Sequence, residues 1–252
     1  MSKTRNKVVV AKEKTSPWVH ICFILFGLAC LIPFLVIVSA SFSDEMDLAR
    51  YGFGLIPKKF DLTAYAYLFE NPRTIINAYL VTIFITVVGT FLGTLFITMV
   101  AFTLARKNFR FRSLLTAYIF FPTLFSGGLV SSYLINTQYL HLRDNLLALI
   151  LPSLINVFHV IMVRTFFMQL PESLFEAAKM DGASEYMLFF KIALPLSKPV
   201  IATVAFLGAL SKWNEWYNAM LYIRNEDLVP LQYMLQRMMM SIQSLLNAMQ
   251  SV

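Results

Sequence analysis

Charged residues, cysteine and histidine are all scarce in this chain. Of its 252 residues, 14% are charged, two are cysteine and three are histidine. Both cysteines, Cys22 and Cys30, lie in the first apolar run, so neither disulfide nor metal chemistry is predicted. The sequence also has no low-complexity tract and no internal repeat.

Enzyme signatures are missing as well. The sequence contains no G-x-x-x-x-G-K-[ST], so it cannot house nucleotide hydrolysis, and it contains neither H-E-x-x-H nor G-x-S-x-G. Gly127-Gly128 lies in an apolar stretch and is not a phosphate cradle. The chain is therefore not predicted to be an enzyme. An intramembrane enzyme using His159 or Glu215 remains an alternative, although no paired nucleophile or metal set accompanies either residue.

What the chain has in abundance is apolar sequence. Hydrophobic residues make up 58% of it and the mean hydropathy is +0.66, well above soluble norms. Several runs exceed the roughly 20 residues that cross a bilayer. The prediction is an all-α, polytopic transmembrane bundle. Five spans are expected, at 18–42, 75–105, 113–135, 146–168 and 200–222.

The basic residues give the orientation of these spans. With a cytoplasmic basic segment at 1–17, the inner connecting segments hold twelve Lys and Arg residues and the outer ones seven. Positive residues favour the cytoplasmic side, so the net charge of +7 concerns topology and not nucleic acid. The remaining two basic residues, Arg164 and Lys212, lie within predicted spans.

The segment 170–199, between the fourth and fifth spans, is polar and has clear helix punctuation. Pro171 suits a first helical position, and Gly182 can take the left-handed conformation that ends a helix. Ser184 is a candidate N-cap for a second helix that Pro195 closes. We therefore predict two short helices joined by an elbow on the cytoplasmic side.

The same segment resembles a known motif. The run Glu176-Ala177-Ala178, then Gly182, and later Ile192, Leu194 and Pro195, reproduces the spacing of the EAA loop of ABC importer permeases. The wording DGAS and ALPLSKP is similar to the carbohydrate-uptake, maltose-permease-like branch. The resemblance implies that the elbow couples to an ATPase through these residues: Glu176, Ala177, Ala178, Asp181, Gly182, Ala183, Leu194 and Pro195.

The resemblance also implies an assembly in the bacterial cell membrane. This chain would form half of the translocation path for a sugar or oligosaccharide. Its partners would be a homologous second permease, two cytoplasmic ATPase subunits, an extracytoplasmic solute-binding protein and membrane lipid. ATP and Mg would be bound by the ATPase, and this chain itself would bind no cofactor. A membrane scaffold or sensor subunit that transports nothing is the other alternative.

Polar residues within the spans are candidates for the path. Trp213, Asn214, Glu215 and Trp216 follow Lys212 in the fifth span, where charged groups are costly unless they face a cavity or one another. They are either path residues or, in a second interpretation, an interfacial belt beside a Lys212–Glu215 pair. Asn156 and His159 form a second candidate cluster. In the alternative interpretation these two residues only form hydrogen bonds within the bundle and do not line the path.

Two further expectations concern packing and the C-terminal tail. Gly89 and Gly93 form a small-xxx-small pair on a threonine stripe, a pattern typical of helix–helix packing. The tail after Tyr222 is amphipathic and contains no unbroken apolar run of 20 residues, so the permease domain at 18–252 is expected to lack the family's sixth span, as in a truncated product. Residues 223–252 would then lie outside.

Overall fold

The computed structural model describes residues 17–69, 72–125 and 127–250, and these are helical almost throughout. Within those ranges there is no β-strand, only an isolated bridge between Ser43 and Phe60. The helices are α1 (Pro17–Ser41), α2 (Glu45–Tyr51), α3 (Thr63–Leu68), α4 (Pro72–Ala105), α5 (Arg112–Leu124), α6 (Gly128–Tyr139), α7 (Leu147–Ile150), α8 (Val157–Phe167), α9 (Glu172–Met180), α10 (Glu185–Leu196), α11 (Lys198–Trp213), α12 (Tyr217–Tyr222) and α13 (Leu231–Gln250). The all-α prediction is confirmed.

The chain divides into two compact units, of which the first runs to Pro72. In this unit Asp44 caps α2 by accepting from Met46 N at 2.9 Å, and its other oxygen pairs with Lys59 Nζ at 2.6 Å. Phe42 stacks on Phe60, with 5.4 Å between ring centroids. The segment after the first span thus contains two short helices, α2 and α3. The basic segment at 1–16 lies outside the described residues.

The second unit, from Arg73 onward, contains the larger core. Its main apolar cluster joins the C-terminal half of α4 to α8, α9, α10 and α11, with Ala101, Val163, Leu188 and Ala193 fully buried. A second cluster joins the N-terminal half of α4 to α7, α12 and the chain that leads into α13. Helix α4 is thus the axis on which both clusters pack.

The predicted spans differ in how well they match single helices. In the part of the chain that the structure describes, two helices are long and apolar enough to cross a membrane alone, Trp18–Ser41 and Pro72–Ala105, in agreement with the first two predictions. Up to four crossings result if the bent pairs α5–α6 and α10–α11 each count as one. The predicted spans 146–168 and 200–222 are not single helices, since the first breaks between Ile150 and Val157 and the second between Trp213 and Tyr217, and as crossings they stay predictions.

Proline and a helix cap explain the break in the fourth span. Pro152 has no N–H for the carbonyl of Ala148, and Leu154 N donates to Leu151 O at 3.2 Å, so α7 ends after one turn. The Asn156 side chain then caps α8 by accepting from His159 N at 3.3 Å. The third predicted span is also divided, since α5 ends at Leu124 and α6 begins at Gly128, whereas Pro122 lies within α5.

The C-terminal tail forms a helix, α13, which is amphipathic as predicted and does not meet the criteria for a candidate span. Its first residue is fixed to α4, because Leu231 N donates to the buried Thr82 Oγ1 at 2.9 Å. Asp144 stabilises the preceding turn by accepting from Arg224 N and from Asn225 N. Residues 251 and 252 lie outside the described residues.

Candidate functional site

The elbow between α9 and α10 is closed by backbone hydrogen bonds around a left-handed glycine. Gly182 has φ +80°, and its N–H donates to Lys179 O at 3.0 Å. Ala183 N donates to Ala178 O at 2.9 Å, which completes a Schellman motif. The predicted left-handed conformation of Gly182 is confirmed, and its coupling role stays a prediction.

The second arm of the elbow begins and ends as its sequence indicates, with one irregularity. Ser184 caps α10 by accepting from Met187 N at 3.4 Å. The turns from Leu188 to Ala193 are wider than α-helical, a local change that accommodates Pro195, which would otherwise clash with the carbonyl of Lys191. Pro195 lies in the final turn, so α10 ends one residue later at Leu196.

An aromatic cluster fixes the elbow to the end of α4. Phe175, on α9, is buried, and its ring centroid lies 6.3 Å from that of Phe102. Phe102 also contacts Phe189 at 5.4 Å and Phe167 at 5.9 Å. The guanidinium carbon of Arg106 lies 4.7 Å from the centre of the Phe175 ring, a cation–π contact. Sequence reasoning missed this cluster because its four phenylalanines come from four different helices.

Ion pairs surround the aromatic cluster at the surface. Lys107 pairs with Glu172 at 2.7 Å, and Lys179 pairs with Glu185 at 2.6 Å, while Arg106 lies 3.8 Å from Glu185. The Lys107 ammonium holds the pKa of the Glu172 carboxyl below its usual range. The pairs are exposed and individually weak. Together they tie the basic loop that follows α4 to both arms of the elbow.

The predicted coupling residues divide into an outer and an inner set. Glu176, Ala177, Asp181, Gly182 and Pro195 are exposed. Ala178, Ala183 and Leu194 are half-buried and pack against the main core cluster. Beside the outer set, Met180 is 89% exposed and Tyr186 is 75% exposed. Large apolar side chains that are this exposed are typical of a protein–protein interaction surface.

The elbow continues directly into a membrane helix. After α10 the chain bends by 83° at Ser197, which is fully buried, and α11 begins at Lys198. Val200 and Val204 pack in the same core cluster as Phe175, so the elbow and α11 share one core. The far end of α11 carries Lys212.

Lys212 is the main polar feature within the spans, and it forms no ion pair with Glu215 within the described chain. It is 7% exposed, and its Nζ donates to Leu149 O at 2.6 Å, to Ile150 O at 3.2 Å and to Ser153 Oγ. These are the carbonyls that α7 leaves without helical partners where it breaks. A lysine at a helix C-terminus also complements the helix dipole. The Lys212–Glu215 pair of the second interpretation does not form, because the ammonium group binds these oxygens instead.

Gly89 on α4 makes room for this lysine. A Cβ added at Gly89 would lie 3.2 Å from Lys212 Cε and 3.3 Å from Cδ, and one added at Gly93 would lie 3.0 Å from Leu154 O. The small-xxx-small pair thus serves close packing, as predicted. What it packs against is the lysine side chain and the broken backbone of the fourth span.

Two of the other candidate path residues, Glu215 and Asn214, form hydrogen bonds at helix ends. Glu215 accepts from Asn218 N and from Asn218 Nδ2, both at 3.0 Å, so its carboxylate binds the first turn of α12. Asn214 is exposed, and its Nδ2 donates to Leu210 O at 2.8 Å. Trp216 is 37% exposed and lies edge-on to Tyr217, while Trp213 is half-buried.

The second candidate cluster begins just after the break in the fourth span, where Lys212 binds. Asn156 is exposed and caps α8, and His159 is half-buried one turn further along. Ser153, three residues before Asn156, accepts from Lys212. The break in the fourth span and the end of α11 are therefore one connected region.

These features define a multi-pass helical membrane protein with a structured polar elbow. Residues 93–242 match the model of a family described as binding-protein-dependent transport system inner membrane component. That match covers more than half of the chain. The chain therefore belongs to this family.

Curated relatives agree with the family model. The chain is 45% identical over 221 residues to Protein LplC of Bacillus subtilis, covering 86% of this chain and 74% of that protein. It is 37% identical over 214 residues to the polygalacturonan/rhamnogalacturonan transport system permease protein YtcP of the same organism, covering 85% and 74%.

A solved structure shares the fold. It is a bacterial ABC transporter involved in the import of the acidic polysaccharide alginate, with a TM-score of 0.79 and 30% sequence identity. The similarity covers 88% of this chain and 78% of that one. The resemblance to ABC importer permeases predicted from the sequence is thus confirmed.

Proposed function

We propose that this chain is a permease subunit of an ABC importer for a sugar or oligosaccharide, and that it forms half of the translocation path. The names of its relatives support the substrate class, since they refer to polygalacturonan, rhamnogalacturonan, arabinooligosaccharides and alginate. ATP hydrolysis then belongs to a separate ATPase that binds ATP and Mg. A second permease and an extracytoplasmic binding protein complete the assembly. A non-transporting scaffold and an intramembrane enzyme are both disfavoured by membership of a transport family.

The observation that carries the proposal is the elbow. Its inner face is fixed to α4 through Phe175, and its outer face exposes Glu176, Ala177 and Met180. In this proposal the ATPase binds the outer face, and the bend at Ser197 carries its motion into α11. Lys212 then transmits the motion to the broken fourth span, beside the proposed path residues Asn156, His159, Trp213, Asn214, Glu215 and Trp216.

Five crossings belong to the proposed topology, with the N-terminus and the elbow in the cytoplasm and residues 223–252 outside. The bent pair α5–α6 supplies the third crossing. The pair α7–α8 supplies the fourth, and α11 with α12 supplies the fifth. The basic inner loops support this orientation.

Charge reversal on the elbow tests the proposal. We expect Glu176→Lys to lower sugar uptake by whole cells at least tenfold while leaving the amount of permease in the membrane unchanged, because a like-charge contact would oppose docking. Glu45→Lys, on the exposed helix α2, makes the same charge change away from the elbow and should leave uptake near normal. Normal uptake by Glu176→Lys would contradict the proposal.

A further inference from the structure

A cleft between the N-terminus of α5 and the C-terminal part of α8 holds two arginines of different helices. Arg112 and Arg164 line it together with Ser113, Thr116, Ala117 and Phe120, and its volume is about 460 Å³. This region takes no part in the elbow contacts or in the Lys212 cluster described above. The positive charge of these two arginines has no role in the proposed transport function.

Neither arginine has an anionic partner among the residues that the structure describes. No acidic side chain lies within 4.0 Å of Arg112 or Arg164 there, although Lys107, Lys179 and Arg237 all have one. Arg112 reaches only the Met168 sulfur, at 3.9 Å. The Nε of Arg164 is buried and has no hydrogen-bond partner. Two guanidinium groups with free donors in one cleft are suited to an anionic oxygen ligand.

The lining of the cleft is polar at one end and apolar at the other. Ser113, Thr116, Ala117 and Phe120 follow one another on a single face of α5. Phe120 is about 12 Å further along the helix axis than Arg112, at 1.5 Å per residue. Because α5 starts at the basic cytoplasmic loop in the proposed topology, its arginine end lies at the headgroup level and its Phe120 end among acyl chains.

We propose that this cleft binds the phosphate headgroup of one anionic phospholipid from the cytoplasmic leaflet. Arg112 and Arg164 bind the phosphate oxygens, and the Ala117–Phe120 face contacts the start of an acyl chain. The gradient from polar to apolar favours a lipid over free phosphate. The inference uses the proposed membrane orientation but does not depend on which sugar is transported.

Native mass spectrometry of the purified transport complex tests this site. Titration with palmitoyl-oleoyl phosphatidylglycerol should reveal one tightly held lipid, and its affinity should fall at least tenfold in the double variant Arg112→Gln, Arg164→Gln. The double variant Arg110→Gln, Lys198→Gln removes the same charge from exposed positions outside the cleft and should bind as the native complex does. Ala117→Trp keeps both arginines but fills the apolar end, and should also weaken binding.

The other results of the titration would overturn the proposal. Equal phosphatidylglycerol affinity in native and Arg112→Gln, Arg164→Gln complexes would exclude the arginines as ligands. Equal affinity for phosphatidylcholine would show that only acyl chains are bound. Displacement of the lipid by millimolar inorganic phosphate would indicate a free anion as the ligand. If the isolated permease binds the lipid and the whole complex does not, a carboxylate of a partner subunit occupies the cleft in the complex.

Discussion

At the scale of single residues, Lys212 differs most from what its sequence context suggests. A lysine three residues before a glutamate in an apolar stretch favours a local pair, yet it donates to Leu149 O, Ile150 O and Ser153 Oγ. Hydrogen bonds from a charged donor contribute about 1.5–3 kcal/mol each. A lysine at the centre of a membrane helix costs about 2.5–3.5 kcal/mol on insertion scales, which is an upper bound for Lys212 in the last turn of α11. Three such bonds outweigh that cost, so the lysine stabilises the break in the fourth span.

Lys212→Met is therefore expected to destabilise the protein although it removes a buried charge. Its two carbonyl partners would remain buried without a donor, at about 1–3 kcal/mol for each. The thermal midpoint of the purified complex should fall by several degrees. Lys198→Met, at the exposed start of the same helix, is the matched control and should have little effect. An unchanged midpoint for Lys212→Met would contradict the assigned role.

Asp144 provides a prediction about pH. Hydrogen bonds from Arg224 N and then Asn225 N lower the pKa of its carboxyl below the usual value. A lowered pKa in the folded state contributes stability that is present above the unfolded pKa, about 3.9, and is lost as pH falls through the folded value. Hydrogen exchange at Arg224 and Asn225 should thus be faster in Asp144→Asn than in the native chain near pH 6. The difference should shrink on acidification below pH 4. A difference that persists unchanged at low pH would exclude the carboxylate as its cause.

At the scale of elements, α4 is the helix on which the fold depends. Its glycines face two different neighbours, since Gly93 lies against backbone at Leu154 and Gly89 against a side chain. To admit a new Cβ, the Lys212 side chain beside Gly89 can shift by a few tenths of an ångström. The backbone carbonyl of Leu154 beside Gly93 can shift less. Gly93 is therefore the more restrictive position.

Alanine substitution of two helical glycines tests this reading. Gly93→Ala should lower the thermal midpoint, because its Cβ would lie 3.0 Å from Leu154 O. Gly208→Ala, on α11, meets nothing within 4 Å and should be neutral or stabilising by up to about 1 kcal/mol, the ordinary helix preference for alanine. Equal effects of the two substitutions would contradict the close approach.

The sequence predicted those elements that depend on neighbouring residues. The elbow followed from Gly182 and Ser184, because turn and cap chemistry acts over a few residues. The breaks at 151–156 and 214–216 were missed, although Pro152 and Asn156 signal the first of them, because hydropathy averaged over a span conceals a short interruption. The partners of Lys212 and the Phe102–Phe175 contact could not be predicted, since they join residues 59 or more positions apart.

At the scale of the whole molecule, the contacts form a continuous route from the elbow to the fourth span. Phe175 and the core around Val163 join the elbow to α4 and α8, and the bend at Ser197 leads along α11 to Lys212. Membership of a transport family explains why a polar elbow and a broken membrane helix occur together in one chain. In the proposed function, the elbow receives the motion and the broken span is where the path changes.

The most direct test of this account is photo-crosslinking from the outer face of the elbow. A photoreactive phenylalanine analogue in place of Met180, which is 89% exposed, should capture the ATPase subunit in the intact membrane, and nucleotide should change the yield. The same analogue in place of Tyr139, 77% exposed at the opposite end of the proposed topology, should not capture it. Capture of the ATPase from position 180 alone is the predicted result. No capture from position 180 in a complex that still imports its sugar would contradict the account.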